Sequence, residues 1–216
     1  MTTTLHYFPG NASMAPHMLL REIGAPFELA LVDRAANAQN SPAYLRLNPN
    51  GTIPVLVDGD LVLHEAAAIL LHLCDAHPQA DLAPALGTAE RAQFYKWLFW
   101  LSNTLQASMK MYFYAERYVD AGNTAGAAEV KRHAEAAINT MIDQLEAQLA
   151  GHGGPFFLGA RFSALDPYVL MLCRWTRGFA RPARSLAALA PYLQRVLARP
   201  AVQSAFKTEG LQAPWV

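Results

Sequence analysis

The chain has 216 residues, 53% of them hydrophobic and 16% charged, with 17 basic and 17 acidic side chains. That is enough apolar material for one large domain or two small ones, and too apolar a composition for a disordered chain. Zero net charge argues against a nucleic-acid footprint or a polybasic membrane surface, and no uncharged apolar run approaches the roughly 18 residues of a membrane span.

From the N-terminus, Leu5 to Phe8 reads as a short strand and Pro9-Gly10-Asn11 as a turn. No basic region followed by an apolar stretch marks a secretory signal. Met14 to Ile23 has apolar residues at helical spacing and stops at Gly24, a C-cap. Phe27 to Val32 reads as a second strand, Arg34 to Ser41 as a polar loop, and Pro42 to Leu47 as a short helix. Val55-Leu56-Val57 and Leu61-Val62-Leu63 flank Asp58-Gly59, a hairpin signal. Glu65 to His77 is a helix ended by Pro78, so the order is β-α-β-α-β-β-α. Gln79 to Gly87 has no period and reads as a linker.

Beyond the linker the chain shows helices only. Thr88 to about Tyr118 is a long helical stretch dense in aromatics. Val130, Ala134, Ile138, Met141, Leu145 and Leu149 form one stripe of an amphipathic helix closed by Gly151. Ser163-Ala-Leu-Asp166 is a capping box whose helix runs to Gly178. Leu186 to Arg199 and Ala201 to Glu209 are two more helices. The expected organisation is a mixed α/β domain over 1–80 and an all-helical bundle over 87–216. The cysteines, Cys74 and Cys173, lie in apolar helical contexts and fit no metal or dithiol spacing, as suits a reducing cytoplasm.

The segment from Leu47 to Leu70 holds the most specific chemistry. Pro54 opens a strand without an N–H to give the ladder, and its bond is either trans at a strand edge or cis. In the cis case the Ile53 backbone turns outward to pair with an extended peptide. Glu65 either offsets the macrodipole of its helix or binds an ammonium beside a helix N-terminus that attracts a carboxylate. A ligand with both charges at one end and a peptide body suits the whole segment, and the γ-glutamyl end of glutathione has that form.

On these residues the chain resembles the soluble glutathione transferases, most of all the bacterial, beta-like ones, over nearly its whole length. The matching pieces are Tyr7-Phe-Pro-Gly10 leading to Ser13-Met-Ala-Pro-His17, Asn48-Pro-Asn-Gly-Thr-Ile-Pro-Val-Leu56, and His64-Glu-Ala-Ala-Ala-Ile69. In the second half they are Phe162-Ser-Ala-Leu-Asp-Pro-Tyr168, Arg174-Trp175 and Arg199-Pro-Ala-Val202. The resemblance implies a thioredoxin-like N-terminal domain, a helical C-terminal domain and a homodimer. It also implies a cis Pro54, pairing of Ile53 with the cysteinyl part of glutathione, and capture of the γ-glutamyl group by Glu65. The backbone of Ala66 and the side chain of Thr52 complete the expected glutathione contacts.

Conjugation needs a thiolate, and a free thiol has a pKa near 8.5. A hydroxyl donor and a helix N-terminus aimed at sulfur lower it. Ser13, where the first helix begins, is either that donor or a plain N-cap, and Asn11 is a second donor or a turn residue. The chain departs from beta-like enzymes in several places. Ala12 stands where they carry a cysteine, Gln106 and Ala107 where they carry a His-Lys pair, and the Arg34–Ser41 loop holds no lysine. Tyr112, Tyr114 and Trp175 are the expected lining of an apolar electrophile pocket, although aromatics at helical spacing also pack as bundle core. The expected activity is conjugation of glutathione, the co-substrate, to a small apolar electrophile, with no metal and no nucleic-acid or membrane partner. A glutathione-dependent disulfide reductase or peroxidase is the second reading, and a non-catalytic ligand- or protein-binding member of the fold the third.

Overall fold

A computed structural model describes residues 3–216. Strand β1 (Thr3–Tyr7) is central, with β2 (Phe27–Leu31) parallel on one side and β3 (Val55–Asp58) antiparallel on the other. β4 (Leu61–His64) closes the four-stranded sheet through the Asp58-Gly59 hairpin, giving the order β2-β1-β3-β4. The parallel pair is joined by helix α1 (Met14–Ile23), whose last turn ends at Gly24 in the left-handed region (φ 74°) as its spacing predicts. After β2 the chain makes the short α2 (Pro42–Leu45), and after β4 it makes α3 (Ala66–Ala76). This is the thioredoxin-like arrangement expected.

The second half is helical throughout. Helices α4 (Ala89–Trp100) and α5 (Ala107–Phe113) are one continuous rod, but Leu101–Gln106 between them is wound as a π-helix. The sequence period gives no sign of that change. Helix α6 (Thr124–His152) carries the expected stripe with one substitution: Ile142, rather than Met141, is the buried member. It runs through Gly151 and ends at Gly153, which takes the left-handed turn at φ 61°. Helices α7 (Leu165–Trp175), α8 (Leu189–Leu197) and α9 (Pro200–Thr208) complete the bundle; α7 and α8 are shorter than their periodic stretches, and α9 has the expected length one residue earlier. Among the described residues no helix is long and apolar enough to cross a membrane.

The two halves share one core, because α1 packs against both α7 and α9. A bidentate ion pair, Arg199 to Glu22 (2.7 Å from Nη2 to Oε2), adds to that seam. The capping box at the head of α7 forms in a modified way. Ser163 Oγ accepts from Leu165 N–H at 3.3 Å rather than from the third helical residue, while Asp166 Oδ2 accepts from Ser163 N–H at 2.7 Å. Cys74 and Cys173 are both free and buried, and burial pushes the Cys74 thiol up to about 12, so neither is a nucleophile.

Candidate active site

The turn that leads into α1 is set by its own polar side chains. Gly10 takes φ 71°, and the Asn11 side-chain oxygen bonds the next backbone N–H, Ala12, at 2.6 Å. Ser13 is fully buried, and its hydroxyl lies 3.2 Å from both the N–H and the C=O of Phe8. It makes no capping bond to the helix either. The sequence alone left the hydroxyl two directions, sulfur or helix; the structure shows a third, back into the turn.

The same turn is clamped from the far end of the chain. Glu209, just beyond α9, accepts from Gly10 N–H at 2.9 Å with Oε2 and from His17 Nδ1 at 2.8 Å with Oε1, and both side chains are essentially buried. Trp175 Nε1 donates to the Gly10 carbonyl at 3.1 Å. Both peptide groups of Gly10 are therefore fixed by the helical half. Glu209→Ala leaves two buried donors unpaired and is expected to lower stability by about 2–3 kcal/mol; Glu209→Gln, which keeps an acceptor for Gly10, is expected to lose about half of that. Urea midpoints at constant slope measure both.

Opposite the turn, the loop before β3 is equally constrained. The Thr52 carbonyl accepts from Tyr44 Oη at 2.8 Å and Asn48 Nδ2 at 2.9 Å, and Asn48 also holds Asn50 N–H at 3.0 Å. Gly51 stands at φ 58°, where a side chain would be strained and its Cβ would crowd Asn40 Oδ1 at 2.6 Å and the Gln39 carbonyl at 3.2 Å. The Ile53–Pro54 bond is cis. Neither the N–H nor the C=O of Ile53 bonds another described residue, which leaves a short backbone edge open. Glu65 precedes α3 at φ 74°, ψ 116°, a conformation that costs a non-glycine residue about 1–3 kcal/mol. Its side chain makes no capping bond, so the strain is not repaid inside the helix.

These pieces surround one cleft of about 570 Å³ between the two halves. Asn11, Thr52, Ile53, Pro54, Glu65, Ala66, Tyr114 and Trp175 all line it; Ser13 and Tyr112 do not. Tyr112 instead packs on Phe179, 4.5 Å between ring centres. Arg174, beside Trp175 in sequence, points away too and holds the Pro214 carbonyl at 2.8 Å. Residues the sequence reading left out of the site also line the cleft, among them Gln106, Lys110, Phe113 and Arg117. The π-helical turn accounts for them. It shifts the helical phase so that Leu101 and Leu105 stay buried in the core while Gln106, Lys110 and Phe113 share the cleft face. Gln106 is oriented from below by Tyr168, whose hydroxyl donates to its Oε1. Burial keeps the Tyr168 phenol neutral, with its pKa pushed upward, and so a donor. Among the described residues no group of three His, Cys, Asp or Glu side chains is placed to hold a metal ion.

Two family descriptions match the chain: the glutathione S-transferase N-terminal domain over residues 1–75 and the glutathione S-transferase C-terminal domain over residues 125–199. A glutathione S-transferase of Xanthomonas campestris pv. campestris is 32% identical over 207 residues, covering 96% of this chain and 98% of its own length. Among solved structures, a glutathione transferase homologue from Sulfitobacter with bound glutathione superposes with a TM-score of 0.88 at 27% identity, over 98% of this chain and 99% of that one. A bacterial beta class glutathione S-transferase of Sphingomonas chungbukensis superposes with a TM-score of 0.81 at 30% identity, over 97% of this chain and all of that one.

Proposed function

Since the chain belongs to the glutathione S-transferase family, we propose that its cleft binds glutathione and conjugates the thiolate to a small electrophile. The observation that carries this is the strained Glu65 at the mouth of α3, facing across one cleft toward the open Ile53 edge and the Asn11 turn. Glu65 takes the γ-glutamyl ammonium, and the first N–H groups of α3, beginning at Ala66, take its carboxylate. The peptide body lies along Ile53, with Thr52 beside it. The sulfur then falls between the Asn11 turn and Gln106. Asn11 and Gln106 both line the cleft there and each carries a side-chain NH2, and their amide oxygens are held by Ala12 N–H and the Tyr168 hydroxyl. Preorganised donors of this kind stabilise developing negative charge on sulfur.

In the reaction the thiol proton passes to solvent and the thiolate attacks an electrophilic carbon. The C–S bond forms as a halide leaves with its electron pair, or as a double bond takes up a proton. Reduction of disulfides is the alternative; with Ala12 in the cleft and both cysteines buried elsewhere, it would run on two glutathione thiols rather than on a protein thiol. The working unit in this reading is a cytoplasmic homodimer, and exposed apolar side chains on β4 (Leu61, Val62) and α4 (Phe99) offer surface for a partner copy.

The test is product analysis with glutathione and an activated aryl halide. One thioether formed per glutathione consumed supports conjugation, and accumulation of oxidised glutathione with a disulfide substrate, without thioether, overturns it. Asn11→Ala is expected to lower kcat about tenfold, one sulfur hydrogen bond of roughly 1.4 kcal/mol. Ser13→Ala is expected to act chiefly on stability, by about 1 kcal/mol, with a smaller effect on kcat than Asn11→Ala.

A further inference from the structure

Four cationic side chains line the cleft, Arg34, Lys110, Arg117 and Arg177, against a single carboxylate, Glu65. The chain as a whole carries 17 charges of each sign, so this excess is local. Elsewhere some cations find carboxylates, Arg91 on Asp75, Arg161 on Asp81, Arg181 on Asp143 and Arg199 on Glu22, while others such as Arg46, Lys96 and Lys207 stand singly rather than gathered around one cavity. Among the described residues none of the four cleft cations has such a partner.

Two of them share one tyrosine instead. Arg34 Nη2 donates to the Tyr114 hydroxyl at 3.2 Å, and the Arg117 guanidinium lies over the Tyr114 ring, 4.4 Å from its centre. Asp33, next to Arg34, is occupied: its Oδ1 accepts from the N–H groups of Ala35 and Ala36. Lys110 stands one helical turn before Tyr114, and Arg177 follows Trp175 on the other half of the lining. Of these, Arg177 acts on its neighbour Arg174, which is brought down to about 10 by burial first and by Arg177 second. Like charges gathered without a counter-charge are costly, and a bound anion relieves the cost.

Glutathione uses only part of this charge. Its ammonium takes Glu65, its γ-glutamyl carboxylate takes the head of α3, and its glycyl carboxylate needs one cation. We propose that the remaining cations receive the second substrate, and that this substrate carries a carboxylate or sulfonate alongside its electrophilic carbon. Phe113, Tyr114, Tyr118 and Trp175 supply faces for an aryl or alkenyl body, and the cations fix its charged end. The proposal rests on the assignment of the cleft to glutathione.

Titration with two S-substituted glutathiones separates the two levels. S-(para-carboxybenzyl)glutathione carries the additional charge, and its benzoate methyl ester does not. The acid is expected to bind about tenfold tighter than the ester at low ionic strength, with the advantage shrinking as salt rises. Lys110→Gln and Arg117→Gln, both at exposed positions, are each expected to weaken the acid about threefold more than the ester. Equal affinities for acid and ester, or an advantage that survives both substitutions, overturns the anionic-substrate proposal and leaves the glutathione site standing. Failure of both compounds to bind overturns the glutathione assignment and this proposal with it.

Discussion

Glu65→Ala is expected to weaken glutathione binding by roughly 10- to 150-fold, the loss of one charged hydrogen bond worth about 1.5–3 kcal/mol. The same substitution is expected to cost the free protein little. Glu65 makes no capping bond to α3 and sits at φ 74°, so its side chain does nothing for the helix that its backbone geometry would not undo. Binding and stability therefore separate at this position. Glu65→Gly extends the test: glycine reaches this φ without strain, so the fold is expected to gain up to about 1 kcal/mol while affinity is lost. Glu65→Gln keeps the shape and one acceptor but removes the charge, and its affinity is expected to fall between the two. Titration calorimetry with glutathione, paired with urea midpoints, reads both quantities. A residue whose role was only to cap α3 would show the opposite pattern, with stability lost and affinity kept.

Asp166→Ala is expected to be the most destabilising single substitution considered, at about 3–5 kcal/mol out of the 5–15 kcal/mol typical of a whole domain. The carboxylate is fully buried and accepts from Phe157 N–H (2.9 Å), Ser163 N–H (2.7 Å), Ser163 Oγ (3.2 Å) and Tyr192 Oη (3.0 Å). One group thus ties the loop after α6 to the head of α7 and to α8, and its removal leaves several buried donors unpaired. Burial pushes this carboxyl up to about 6, against the hydrogen bonds that favour the anion. The folded protein therefore holds the proton after the unfolded chain has released it near pH 4. The stabilisation from that proton is complete below about pH 4 and is lost as the pH rises through about 6, by roughly 3 kcal/mol. Asp166→Asn lacks this titration, so its urea midpoint is expected to fall less than the wild type's between pH 4 and 6.

Much of the first half was legible because local chemistry decides it. Asp58-Gly59 between two apolar runs fixes the β3–β4 hairpin, and Gly24 closes α1 wherever the helix goes. Glu65, Ile53 and Pro54 were legible as a set because turn, strand and helix signals fall in one short segment. What remained hidden depends on how single turns close and on contacts between distant parts of the chain. The direction of the Ser13 hydroxyl follows from the Phe8 backbone, and the grip on Gly10 comes from Glu209 and Trp175, more than 160 residues away. The π-helical turn at Leu101–Gln106 changes helical phase by about one residue, near 100°, and so resets which face of α5 meets the cleft; Tyr112 packs on Phe179 and Tyr114 lines the cleft. Counting positions puts those two tyrosines on different faces but does not say which of them meets the cleft. The cationic lining was hidden for the same reason: Arg34, Lys110, Arg117 and Arg177 look like solvated surface charge until the fold places them around one cavity.

The central claim is that this cleft binds glutathione and ionises its thiol. The most direct measurement follows thiolate absorbance of the protein–glutathione complex across pH. The bound thiol is expected to ionise at least about one pH unit below the free value near 8.5, and Asn11→Ala is expected to remove part of that shift. Binding with ionisation unchanged from free glutathione, or no binding at all, would contradict it.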